Sequence, residues 1–189
     1  MKLGSPTMLS HVAYITHDTA ATVRFYRELL GMDLVNAVLD DSIPSTGDPV
    51  PYFHSFFRMA DGSTVAFFEA PELPPQAPAP HPAYDVFQHL ALQVDTKAAV
   101  DQWHDWLVEN GVDVLGPVDH KIIYSIYFHD PNGIRLEITT PLAADWNDRP
   151  EVARDIVGSW LEAKREAAVS GRPADEVLRQ AIAARDSHE

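Results

Sequence analysis

Residues 118–137 read VDHKIIYSIYFHDPNGIRLE, and this stretch decides the fold. Pro131 presets one torsion of the Asp130-Pro131-Asn132-Gly133 turn and Gly133 permits a positive one, so the segment is expected to run strand, reversal, strand. In the returning strand Glu137 lies between Leu136 and Ile138, and the period-two alternation of a strand points its carboxylate away from those apolar neighbours. A carboxylate so placed is either solvated or held by something positive. His120 and Tyr127 in the same stretch add two more groups able to handle a proton.

Outward from this stretch the chain repeats itself. Leu9-Ser10-His11-Val12-Ala13-Tyr14 is answered by Phe87-Gln88-His89-Leu90-Ala91-Leu92, with His89 in the place of His11. A helix with Val23, Tyr26 and Leu30 at helical spacing ends at Gly31. Its counterpart, from Asp95 to Asn110, ends at Gly111. Extended runs follow each helix, around Tyr52 to Met59 and Ser63 to Ala70 in the first copy, and Lys121 to His129 and Gly133 to Thr140 in the second. The pattern is a tandem βαβββ repeat in an α+β fold, with modules at 9–70 and 85–141. Six prolines from Pro71 to Pro82 stiffen the 71–84 connector between them.

Beyond Pro141 the pattern turns helical, giving an extension over 145–189. Asp148 and Glu151 have capping-box spacing with Pro150 in the first turn. Val152, Ile156, Trp160 and Ala167 form one stripe, and Val177, Leu178, Ala181 and Ile182 mark a second helix after Gly171 and Pro173.

The 189 residues, 46% of them hydrophobic, suffice for one sizeable core or two small modules that share one. Cysteine is absent, which excludes disulfides and thiolate metal sites and leaves histidine and carboxylate as the metal donors. A net charge of −14 argues against nucleic acid and anionic membranes as partners. Lys2, Arg24, Arg27, Arg58, Lys97, Lys121 and Arg135 are the only Lys and Arg residues before position 145, which favours a neutral or weakly acidic substrate. With no secretory signal and no apolar run near the roughly 20 residues that span a bilayer, a cytoplasmic location is expected.

A single strand histidine is more often structural than a metal ligand. Equivalent histidines in two copies of a repeat are another matter. If the modules pair about a pseudo-twofold axis, His11 and His89 converge, and Glu137 completes a two-histidine, one-carboxylate set that leaves open positions on a metal. Glu69, in VAFFEA, is a candidate fourth ligand.

The tandem modules with His11, His89 and Glu137 resemble the vicinal oxygen chelate superfamily, which includes glyoxalase I, fosfomycin and bleomycin resistance proteins and type I extradiol dioxygenases. The resemblance spans about residues 9 to 141. Within that superfamily, His120, Ile126, Tyr127, Asp130, Pro131, Gly133 and Glu137 are similar to the pattern of the extradiol ring-cleaving enzymes. The resemblance implies Fe(II), with Mn, Ni or Zn as other candidate metals, held by His11, His89 and Glu137, and cleavage of a catechol-like aromatic by dioxygen. It also implies that Tyr127 hydrogen-bonds a substrate oxygen and that His120 contacts the substrate or its oxygenated form. The sequence departs from the pattern at Ala60-Asp61-Gly62-Ser63-Thr64, where those enzymes usually carry an acid-base histidine; His54 or His120 would have to take that part. Phe53, Phe56, Phe67, Phe87 and Tyr124 are candidates for an aromatic pocket. Two other activities suit the same fold, a glyoxalase-like isomerase or lyase with Glu69 as ligand and base, and a metal-independent ligand-binding resistance protein. A homodimer is the expected assembly.

Overall fold

A computed structural model describes residues 4–186; the first three residues of the N-terminal tail and the last three of the helical extension lie outside the described residues. The first module runs β1 (His11–Ile15), α1 (Thr19–Val23) continuing as a π-helical stretch over Arg24–Leu29, β2 (Asp33–Asp40), β3 (Tyr52–Arg58) and β4 (Thr64–Glu69). A short helix, α2 (Pro82–Phe87), precedes the second module, which runs β5 (Leu90–Gln93), α3 (Lys97–Glu109), β6 (Leu115–Asp119), β7 (Ile123–His129) and β8 (Arg135–Pro141). Each module folds into a four-stranded mixed sheet with the same order, β1-β4-β3-β2 and β5-β8-β7-β6. The first strand of each pairs in parallel with the last, and the remaining pairs are antiparallel. The tandem βαβββ architecture is therefore as expected, with two local differences. Phe87 ends a helix rather than opening a strand, and His89 precedes β5 instead of lying within it.

Side-chain alternation gives each sheet two faces. One face meets the helices: Val65, Phe67 and Phe57 from the first sheet and Leu92, Ile126, Phe128, Leu136 and Ile138 from the second join Phe25, Tyr26, Val100 and Leu107 in a single hydrophobic cluster. Each fully buried side chain of this size contributes about 1.5–3 kcal/mol by leaving water. Phe25 lies 6.3 Å from Phe128, centroid to centroid, so the modules meet through this helix-side core.

The Asp130-Gly133 turn bolts the modules together. Asp130 accepts hydrogen bonds from the backbone N–H groups of Asn132 and Ile134, both at 2.8 Å, and from the Tyr26 hydroxyl of the first module at 3.1 Å. Asn132 Nδ2 donates to Thr22 Oγ1 at 3.2 Å. Gly133 takes the positive φ of 78° that the turn requires. Gly116 is needed for a different reason: a Cβ there would lie 2.9 Å from the Ser125 carbonyl, so only glycine lets β6 approach β7 behind Ser125.

Residues 142–189 cluster as a separate unit, built on α4 (Pro150–Ser170) and α5 (Ala174–Asp186). Ala163 and Ala167 of α4 bury against Val177 of α5, and Gly171 closes α4 in the left-handed region. The expected capping box does not form. Arg149 stands at the cap position with no side-chain cap bond, and its guanidinium pairs with Asp145. Of the expected stripe only Ala167 is buried; Val152, Ile156 and Trp160 are exposed along a groove of about 550 Å³ shared with Leu178, Ala181 and Ile182. Among the described residues no helix is long and apolar enough to cross a membrane.

Candidate metal centre

The sheet faces turned away from the helices carry the polar chemistry. On the second sheet, register pairs Ala91 with Glu137 and Tyr127 with Glu137, and aligns Ser125 with Thr139 and His129 with Arg135, so these side chains share one face. Glu137 is 1% exposed there. Its Oε1 accepts from the Ser125 hydroxyl, and its Oε2 lies 2.8 Å from His89 Nε2. Ser125 in turn contacts Thr139 Oγ1 at 2.8 Å. This buried carboxylate, with the His89 imidazole, the Ser125 hydroxyl and the Tyr127 phenol beside it, is a donor that a bound cation would suit.

Tyr127 stands beside this pair. Its ring meets the His89 ring edge-on at 5.7 Å, and its hydroxyl lies 2.9 Å from His120 Nε2. Burial, then the nearby Glu137 carboxylate, push the Tyr127 phenol above its ordinary range, so the hydroxyl holds its proton. Four of the residues singled out in the sequence, His89, Glu137, Tyr127 and His120, are thus gathered on one face.

His11 and His54 are not with them. His11 opens β1 on the corresponding face of the first sheet, its ring 5.9 Å from Phe56. His54 is buried on that same face, stacked on Phe68 at 3.6 Å, with its Nδ1 2.9 Å from the Phe67 carbonyl oxygen. Burial holds the His54 imidazole below its ordinary value; the Phe67 carbonyl opposes that shift and nearby His11 adds to it. Among the described residues of one chain no three His, Asp or Glu side chains are grouped closely enough to hold a metal. The expected convergence of His11 with His89 and Glu137 therefore does not occur within a single copy. The modules of one chain join through their helix sides and leave both polar faces open.

Register also corrects the place given to Glu69. His11 pairs with Thr64 on β4, which puts Thr64, Ala66 and Phe68 on the His11 face and Glu69 on the other. Ala66, opposite Phe56, holds the position that Glu137, opposite Tyr127, holds in the second module. Glu69 instead accepts from both the N–H and the hydroxyl of Thr19 at the start of α1. It is an anchor for that helix, and His11 remains the expected donor of the first module. The aromatic pocket changes for the same reason. Phe67 is a core residue, Phe53 and Tyr124 lie on helix-side faces, and Phe87 is 77% exposed. Only Phe56 of the expected five shares the His11 face; its ring meets His11 and His54, His54 stacks on Phe68, and Phe68 meets Tyr52.

The family profile of the Glyoxalase/Bleomycin resistance protein/Dioxygenase superfamily matches residues 8–138. The chain belongs to that superfamily. Within it, the chain is 26% identical over 141 residues to the metallothiol transferase FosB of Staphylococcus epidermidis, covering 74% of this chain and 85% of that protein. It is 25% identical over 134 residues to the putative ring-cleaving dioxygenase MhqA of Bacillus subtilis, covering 69% of this chain but 39% of that one. Among solved structures, a glyoxalase/dioxygenase from Nostoc punctiforme is 26% identical, with a TM-score of 0.53 over 75% of this chain and 100% of its own. Superfamily membership accounts for the tandem sheets and for the polar faces on which its enzymes work.

Proposed function

We propose that the protein is a homodimeric, metal-dependent enzyme of the superfamily, acting as an extradiol-type dioxygenase on a small catechol-like aromatic. Each of its two centres would be made from His11 of one copy and His89 with Glu137 of the other. The observation that carries this reading is the gathering of His89, Glu137, Tyr127 and His120 on one open face. The donor set, two imidazoles and a buried carboxylate, suits Fe(II) and leaves positions for substrate. A second copy is favoured by exposed apolar side chains beside the open faces, including Ile15, Val38 and Leu115.

When bound, such a metal supplies positive charge that favours the deprotonated diol and a redox-active centre for dioxygen. The chain's own residues then have distinct tasks. Tyr127 holds its proton and donates it as a hydrogen bond to a substrate oxygen, while His120 Nε2 donates to the Tyr127 hydroxyl oxygen and orients it. The first-module wall of Tyr52, Phe56 and Phe68 stacks on the aromatic ring and excludes water. Overall the reaction adds both atoms of one dioxygen to one diol, breaks the ring bond beside the hydroxyls, and needs no further reductant.

The test is anaerobic loading with Fe(II), then a panel of catechols in an oxygen electrode. Dioxygen consumption equal to diol consumed, with Tyr127→Phe lowering kcat at least about tenfold while KM changes little, is the expected result. Bound iron with no oxygen uptake on any diol would remove the ring-cleaving reaction. A second reading, transfer of a thiol to a small electrophile, is favoured by the FosB likeness and by the absence of histidine at Ala60–Thr64. It predicts oxygen-independent thiol consumption that requires the same three ligands. The glyoxalase-like reading loses its base, because Glu69 is committed to Thr19 on the other face.

A further inference from the structure

Arg135 is a half-buried cation beside the centre that the reaction above does not use. It lies on the same strand face as Glu137, two residues away, a separation of roughly 7 Å along the strand. Its guanidinium sits 4.6 Å over the Tyr127 ring. Its Nε is buried, and among the described residues it meets no hydrogen-bond acceptor. Arg149, Arg165 and Arg172 face carboxylates at the surface, whereas the Arg135 Nε is both buried and without an acceptor among the described residues. Leaving a buried donor unpaired costs free energy, and a bound anion would offset that cost.

Arg135 opens onto a cleft of about 610 Å³ whose lining includes His89, Gln88, Tyr84 and Asn132. Asp85, the acidic side chain of that lining, faces His129 Nε2 at 3.4 Å. We infer that this cleft binds the carboxylate of an aromatic acid, with the Arg135 fork on its two oxygens and the diol oxygens reaching the His89–Glu137 end. A planar guanidinium fits a carboxylate through two parallel N–H bonds. One cation matches one negative charge. A dianionic phosphoryl group would bring a second charge toward Asp85 and Glu137 with nothing to meet it. The substrate class is accordingly a monocarboxylated catechol, which deepens the ring-cleaving reading and rests on it.

The test compares a dihydroxybenzoate with unsubstituted catechol by calorimetric titration of the full-length, metal-free protein and again after loading with Fe(II). Wild-type protein should bind the carboxylated diol about tenfold or more tighter than catechol in both states. Arg135→Gln should bring that ratio close to one, and Arg135→Lys should restore part of it, with circular dichroism spectra unchanged. A ratio near one in the wild type, or a preference that survives Arg135→Gln, overturns the inference. Failure of the metal reading looks different: Fe(II) affinity would be absent while the Arg135-dependent preference persisted in metal-free protein.

Discussion

Replacing Glu137 with glutamine should make the metal-free protein more stable while removing its metal affinity. Glu137 is 1% exposed, and its carboxylate meets the Ser125 hydroxyl and His89 Nε2, the latter at 2.8 Å, with Tyr127 close by. Glutamine keeps the shape and can keep these contacts, its carbonyl accepting from Ser125 and its amide lying against the His89 ring nitrogen. What is lost is a buried formal charge. Replacing a buried ion pair by uncharged groups of similar volume is neutral to stabilising by about 1–4 kcal/mol, and because only the carboxylate is replaced, and by a polar amide, the low end, about 1–2 kcal/mol, is expected here. For a chain of this size that corresponds to roughly 2–8 °C in Tm. Thermal and urea unfolding of EDTA-treated wild-type and Glu137→Gln protein would measure it. Adding Fe(II) anaerobically at about a hundredfold over its Kd should then raise wild-type stability by about 2.7 kcal/mol and leave the glutamine variant unmoved. A metal-free glutamine variant less stable than wild type by more than about 1 kcal/mol would refute the reasoning, since Glu137 would then be a structural anchor and not a held-open ligand.

Three further outcomes follow from the geometry. Glu69→Gln should weaken the start of α1, at a cost of about 1 kcal/mol in urea unfolding, without altering metal affinity; a loss of metal binding would return Glu69 to the centre. Tyr26→Phe should cost about 1.5–3 kcal/mol, because it removes the hydroxyl donor to Asp130 that crosses between modules; an unchanged midpoint would mean that this bond is not a fastening. His54 has its folded pKa depressed chiefly by burial, so its contribution is intact above the unfolded value of about 6.5 and is lost as pH falls below it. His54→Phe should flatten that part of the Tm–pH curve, and an equally steep curve in the variant would assign the pH dependence elsewhere.

Much of this was legible in the chain because it depends on local chemistry repeated twice. The Asp130-Pro131-Asn132-Gly133 turn, the glycine helix stops and the paired histidines specified the tandem modules, and period-two alternation put Glu137, Tyr127 and Ser125 on one face. Glu69 shows where such reading fails. It ends the last strand of its module as Glu137 lies in the last strand of the other, yet its distance from the preceding turn differs, a strand shift of one residue reverses the face, and only the His11–Thr64 register reveals that Ala66 is the counterpart. Phe53, Phe67 and Tyr124 were assigned to a pocket on aromatic character alone and fall on the helix side for the same reason. Arg135 was counted in the charge balance but not marked as functional, because its unpaired Nε is a property of packing that no spacing announces. The capping box gave way to the Asp145–Arg149 pair, a competition between two local contacts that pattern does not rank.

The shared-centre account is tested most directly by complementation. His11→Ala and Glu137→Ala protein, each alone, should lack the tight metal site. Refolded together from equal amounts, half of the dimers would be mixed, and each mixed dimer would regain one intact centre of its two. Metal titration should therefore find about one tight site per four chains, where wild type has one per chain. A mixture that binds no more metal than its parents, or a single variant that keeps the tight site, would contradict a centre built across two copies.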